Sequence, residues 1–323
     1  MNPFAHLDPQ RVIALTEEIL GVHAESICRP LTSYINRVFE VHLENGEAVV
    51  LKFHRPGRWS LEALAEEHDF VFDLAAADIP VVAPLTDEEG NSLFEDQDIW
   101  FGIYPRKRGR PFEDPDPPTW RELGRTLARM HCVGDEAVSE NRMRWHPETA
   151  TLQHLDFLLD HPPNDIDILH RYADLVEELV DAISPLFDHQ PTTRLHGDMH
   201  VANLFKRPDE AGLYLIDFDD MCQGPPVQDL WMLLPGTVPD CPRELEHLLY
   251  GYRQIREFPM DQLDLVEPLR AMRFVHFTAW CALQQADGQP NRLADNFNTP
   301  AWWRNEYSAL QDQRERIREV NGV

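Results

Sequence analysis

The sequence predicts an α+β fold of two unequal lobes, a small β-rich N-lobe followed by a larger, mainly helical C-lobe. Three observations predict it. β-rich runs gather in residues 1–105. Residues 106–118, RKRGRPFEDPDPP, are dense in proline and charge and read as hinge and linker. From 119 to 323 apolar residues recur mostly at helical spacing. At 323 residues the chain is long enough for about two domains of ~150 residues each.

In order, LDPQRVIALTEEIL reads as an opening helix with Asp8 as N-cap and Pro9 in its first turn. RVFEVHLE and AVVLKFH are two strands joined across Glu44-Asn45-Gly46, where Asn-Gly supplies the positive-φ positions of a hairpin. SLEALAEEHDFVFDLAAA starts at the N-cap Ser60 as an amphipathic helix. Leu61, Leu64, Val71, Phe72, Leu74 and Ala75 share one side, and Glu62, Glu66, Asp69 and Asp73 the other. Glu67 falls at the edge of the apolar stripe, where an acid needs a cationic partner or must lose its charge. IPVVAPL and DIWFGIYP suggest two further strands. The C-lobe opens with TWRELGRTLARMH, whose Thr119 and Glu122 are spaced as a capping box. Further helical segments follow, interrupted by RLHGDMHVANLFKRPDEAGLYLIDFDD, which reads as short strands and loops.

Composition excludes several classes. With 29 Lys+Arg against 56 Asp+Glu the formal charge is −27, so nucleic acid, which is bound by cations that displace phosphate counterions, is not expected as a partner. No apolar run approaches the roughly 18 residues of a membrane span, and the mean hydropathy is −0.43. MNPFAHLDPQ lacks the basic and apolar regions of a signal peptide. The five cysteines are scattered, without a C-x-x-C pair, as expected for thiols in a reducing cytoplasm. The acid excess reads as solvated surface, and nothing suggests more than a monomer.

Chemistry concentrates in HGDMHVANLF. Asp198 and Asn203 are five residues apart, the spacing of the kinase catalytic loop, in which the Asp accepts the proton of an attacking hydroxyl and the Asn coordinates magnesium. Fourteen residues on, LYLI ends in Asp217-Phe218-Asp219-Asp220, placing a carboxylate at a strand end where a hard cation could be held; Asp219 stands where D-F-G has glycine. Lys52, within an apolar strand, is either an edge-strand charge or a phosphate ligand, and Glu67 on the following helix is its expected partner, with Glu66 as fallback. No G-x-G-x-x-G precedes Lys52. The corresponding turn, Leu31 to Val38, offers Ser33, Tyr34 and Asn36 as phosphate donors, or is an ordinary connection. The backbone from Ile103 through Tyr104 to Pro105 is expected at the adenine edge. His200 could assist phosphate binding or orient the loop. Asp229 could cap a helix or brace the catalytic loop, and Trp302 and Trp303 read as packing.

With these residues the chain resembles the kinase-like phosphotransferases that include aminoglycoside phosphotransferases and choline kinases, and more closely the bacterial stress response kinase A family. LTSYINRVFEV, VLKFHRPGRW, EEHDF, HGDMHVANLF, GPPVQDLWMLL and EPLRAMR occur in that family's order. The resemblance implies a two-lobed protein-kinase-like fold. It also implies ATP- and magnesium (Mg2+)-dependent phosphorylation of Ser and Thr in proteins, autophosphorylation included, in a cytoplasmic stress response. It implies Asp198 as proton acceptor, Asn203 and Asp217 as magnesium ligands and Ser33 at the ATP phosphates. Two alternatives stay open: a small-molecule kinase acting on an amino alcohol or aminoglycoside, and a nucleotide-binding pseudokinase scaffold. Against the scaffold stand the lysine and both aspartates, all present.

Overall fold

Asp8 caps the first helix, α1 (Pro9–Leu20), by accepting the Arg11 N–H at 2.8 Å, and Pro9 occupies the first turn, where its missing N–H is not needed. The computed structural model describes residues 3–113, 115–162, 166–207, 212–286, 294 and 296–323. β1 (Ala24–Leu31), β2 (Arg37–Leu43), β3 (Ala48–Phe53), β4 (Phe94–Asp96) and β5 (Ile99–Pro105) form one antiparallel sheet in the order β1-β2-β3-β5-β4. The Asn-Gly turn joins β2 to β3, with Gly46 at φ 85 and Asn45 Oδ1 accepting the Glu47 N–H.

Strand parity then sorts the side chains. Phe39, Val41, Leu43, Val49, Leu51, Phe53, Ile99, Phe101 and Ile103 all turn to one face and bury against Val12 and Leu15 of α1. Val50, Lys52, Gly102 and Tyr104 therefore turn to the opposite face. The lysine in an apolar strand is thus no anomaly of burial: period two sends it away from the N-lobe core.

IPVVAPL, expected as a strand, is not one. Pro80 and Pro84 remove two donors, and the segment makes only an isolated bridge, Val81 to Leu215, with the Leu85 N–H donating to Ile103. α2 (Leu61–Ala76) begins at its Ser60 cap as expected, but its buried face is rotated: Ala63, Leu64, Glu67, His68, Phe70, Val71 and Leu74 are buried, whereas Leu61 is exposed. The helix meets the sheet with one side and the C-lobe with another. Phe70, Val71 and Leu74 belong to the same apolar cluster as Leu123, Leu127 and Phe218, separate from the cluster under α1.

After β6 (Arg110–Pro111), α3 (Pro117–Gly134) starts earlier than the expected capping box. The cap is Asp116, which accepts the Thr119 N–H, and Pro117 opens the helix. A π-helical turn (Pro147–Thr151) leads into α4 (Leu152–Asp160), then α5 (Ile166–Phe187). β7 (Thr193–Leu195) pairs with β10 (Cys222–Gly224), and β8 (Leu204–Lys206) lies between β6 and β9 (Leu213–Leu215). These short ribbons present two loops, 196–203 and 216–221, side by side below the N-lobe sheet. α6 (Val227–Trp231), α7 (Pro242–Tyr252), α8 (Val266–Ala286) and α9 (Pro300–Asn321) complete the helical lobe, with Trp302 and Trp303 packed inside it. α3 and α7 cross at Gly124 and Gly251: a Cβ on Gly251 would lie 1.9 Å from the Arg121 carbonyl oxygen. Among the described residues no disulfide forms and no helix is long and apolar enough to cross a membrane.

Candidate active site

Two loops and one strand build the site. The 196–203 loop is held from beneath by α6, where Asp229, fully buried, accepts the backbone N–H groups of His196 and Gly197, at 2.9 Å each. Of the two roles open for Asp229, the structure has it bracing the loop. Its neighbour Gln228 donates to the Gly197 carbonyl at 3.0 Å, and Trp231 donates in turn to Gln228. Gly197 sits at φ 83, and a Cβ there would lie 2.0 Å from the Asp220 carbonyl oxygen, so only glycine lets the two loops approach. His196 joins them: Nε2 donates to the Ile216 carbonyl at 2.9 Å while Nδ1 accepts the Asp198 N–H at 3.3 Å, which requires the neutral imidazole.

Asp217 follows directly, with a backbone in the left-handed region (φ 65, ψ 67). A non-glycine residue held there costs on the order of 1–3 kcal/mol, and the outcome is a half-exposed carboxylate facing β3. Lys52 Nζ lies 3.0 Å from Asp217 Oδ1, 3.0 Å from Asp219 Oδ1 and 3.9 Å from Glu67 Oε1. Burial opposes the Lys52 charge, but Asp217 and Glu67 outweigh it and hold the proton more tightly than in free lysine. Burial likewise opposes the Glu67 carboxylate, yet Lys52 and Arg142 push it down to about 2. Glu66, the fallback partner, is engaged elsewhere: it accepts the backbone N–H groups of Glu140, Asn141 and Arg142.

Asp198 is mostly buried, with Arg273 Nη2 of α8 2.7 Å from Oδ1 and His200 Nε2 3.2 Å from Oδ2. Burial opposes its charge, but these partners hold it well below the usual carboxylate range. His200 therefore faces the Asp198 carboxylate. Asn203 Nδ2 donates to the Asp198 carbonyl at 2.9 Å, leaving its amide oxygen without a hydrogen bond among the described residues. Asn203 Oδ1 and the Asp217 carboxylate are hard oxygen donors and fit magnesium, which takes one or two protein oxygens together with phosphate.

The N-lobe edge differs in detail from expectation. Ser33 lies partly buried in the turn between β1 and β2. Asn36 is committed, accepting the Arg55 N–H at 3.1 Å, and Tyr34 packs edge-on against Trp280 of α8, 5.4 Å between centroids. The Tyr104 side chain folds over Gly102, and its hydroxyl lies 3.0 Å from His68 Nε2. The Ile103 carbonyl, expected at an adenine edge, already accepts the Leu85 N–H at 2.6 Å, and the Arg106 N–H donates to Ala48.

Sequence reasoning missed three side chains. Arg58 donates to both Asp219 and Asp220, and Asp219 is buried between Arg58 and Lys52. Arg142 reaches Glu67 at 3.7 Å, donates to the carbonyls of Asp219 and Met221, and lies 3.9 Å from the centre of the Trp59 ring. Arg273 is the third. Arg58 and Arg273 stand in VLKFHRPGRW and EPLRAMR, two of the stretches that carry the resemblance; Arg142 stands in no motif.

Residues 27–266 match the phosphotransferase enzyme family. Stress response kinase A of Escherichia coli strain K12 is 33% identical over 286 residues, 88% of this chain and 85% of that one. Serine/threonine protein kinase RdoA of Salmonella typhimurium strain LT2 is 33% identical over 291 residues, with the same coverage. Among solved structures, amicoumacin kinase hAmiN in complex with AMP-PNP, Ca2+ and Ami superposes with a TM-score of 0.76 at 20% identity, covering 96% of this chain and 95% of that one. Spectinomycin phosphotransferase APH(9)-Ia, in complex with ADP and spectinomycin, follows at 0.65 and 15% identity, covering 95% and 94%.

Proposed function

Because the chain belongs to the phosphotransferase enzyme family, and within it groups with the stress response kinase A proteins, we propose that it transfers the γ-phosphoryl group of ATP to Ser and Thr hydroxyls of proteins, itself included. The observation that carries the reading is the Lys52 ammonium between Glu67 and Asp217, with Asp198 on the loop that His196 ties to the Asp217 loop. Lys52 binds the α- and β-phosphates and Ser33 lies beside them. The backbone beyond Tyr104 borders the adenine. Asn203 and Asp217 would hold magnesium, which when bound neutralises charge on the β- and γ-phosphate oxygens. Asp198 aligns the acceptor hydroxyl and takes its proton as the oxygen–phosphorus bond forms, while the bond to ADP breaks with its electron pair on ADP. Little covalent chemistry is asked of the protein; positioning and charge supply the rate.

Protein rather than small-molecule acceptors are favoured by the relatives at one-third identity, one of them named a serine/threonine protein kinase. The antibiotic kinases, at 20% identity or less, share the fold, and a fold does not choose the acceptor. A role in stress survival and a cytoplasmic location belong to the same reading. Incubation with labelled ATP and magnesium, against protein substrates and a panel of hydroxyl-bearing metabolites, should label protein. Label confined to a metabolite would overturn the reading.

A further inference from the structure

The wall facing Asp198 is positive in a chain that carries −27 overall. Arg273 projects from α8 with Nη2 2.7 Å from Asp198 Oδ1, and its other nitrogens carry no hydrogen bond among the described residues. One turn along α8, His276 Nδ1 lies 3.2 Å from His154 Nε2, with Trp145 against both rings. Burial lowers the pKa of both imidazoles and Arg273 lowers them further, so Arg273 is the cation that this wall presents. The carboxylates here are already spoken for: Asp198 by Arg273 and His200, Asp219 by Lys52 and Arg58, Asp220 by Arg58. A cationic acceptor would find arginine where it needs a carboxylate.

Arg273 and His200 between them engage both carboxylate oxygens of Asp198, to one of which an acceptor hydroxyl must donate. An anionic group entering with the acceptor resolves this, because a guanidinium binds carboxylate or phosphate in a fork and can transfer to the newcomer. With one hydrogen bond from hydroxyl to Asp198 and another from Arg273 to the anion, hydroxyl and anion sit roughly 5 Å apart. That is the reach of a neighbouring residue.

We propose that the acceptor Ser or Thr is flanked by an acidic or phosphorylated residue, and that Arg273 is the specificity residue that reads this anion and releases Asp198 as it does so. The proposal rests on the phosphotransferase reading above. Its test uses the wild-type enzyme with ATP and magnesium and matched peptides whose central Ser is flanked by Asp, phosphoserine, Asn or Lys. A second arm offers glycerol, glycerol phosphate and glycerate. The acidic and phosphorylated peptides should exceed the Asn peptide in kcat/KM by about tenfold or more, the scale of one charged hydrogen bond. In Arg273→Gln the ratio should collapse toward one, and Arg273→Lys should retain part of it. Peptide labelling with no charge preference, or a preference that survives Arg273→Gln, overturns this inference while leaving the kinase reading intact. Label only on the anionic small molecules supports an anion-reading Arg273 and overturns the protein acceptor. No transfer to any acceptor overturns both.

Discussion

Arg142 gathers in one side chain what the motifs leave apart. It is buried, stacks on Trp59, donates to the carbonyls of Ala63, Asp219 and Met221, and faces Glu67. The planar fork reaches α2 and the Asp217 loop together, which a lysine's single ammonium cannot do. Arg142→Lys should therefore fold, with kcat/KM for phosphoryl transfer falling on the order of tenfold to a hundredfold as Glu67 and the Asp217 loop lose their common tie. Arg142→Ala, which strips Glu67 of a buried cation, should in addition lower stability by about 3–5 kcal/mol. Peptide phosphorylation and denaturant unfolding measure the two effects. Wild-type turnover in Arg142→Lys would remove Arg142 from the account.

At the scale of elements, α2 brings Glu67 to Lys52 while its apolar side packs with the C-lobe cluster. The Glu66 clamp on residues 140–142 fixes the same helix to the C-lobe from another side. The lysine on β3 thus meets a partner whose helix is anchored to the other lobe. The C-lobe itself depends on close helix crossing. Gly251→Ala would drive a methyl into the Arg121 carbonyl and force α3 and α7 apart, costing about 1–3 kcal/mol; an unchanged melting temperature would contradict this. Much of this arrangement is legible in the sequence, because α1, α2 and the β2–β3 hairpin are set by caps, turn residues and periodicity within short stretches. Lys52, Glu67, Asp198, Asn203 and Asp217 are legible as well, since spacing along two loops and one strand carries them. What could not be read depends on long-range packing. IPVVAPL has strand composition but its prolines withhold two ladder donors and it makes only an isolated bridge to Leu215, Asp116 outcompetes Thr119 as a cap, and Arg142 lies 75 residues from Glu67 with no local pattern to mark it.

For the whole molecule, buried neutral histidines contribute to the loss of stability in acid. Burial, with Lys52 beside it, lowers His54 to about 3 from an ordinary 6.5, and burial lowers His68 to about 4. Both His54 ring nitrogens lack a hydrogen bond among the described residues. A depressed folded pKa means that this stability is intact above pH 6.5 and lost as pH falls toward 3, because the unfolded chain takes up protons the folded one refuses. Each such histidine contributes a slope of about 1.4 kcal/mol per pH unit. His54→Gln should flatten the fall in unfolding free energy between pH 6 and about 4 by that amount, and an unchanged slope would show that His54 is protonated in the fold. The central claim concerns chemistry, and its most direct measurement is mass-spectrometric mapping of phosphosites on the wild-type protein and on Asp198→Ala after incubation with ATP and magnesium. Phosphoserine or phosphothreonine on the wild type and none on the folded variant is the predicted result; equal phosphorylation of the two would contradict it.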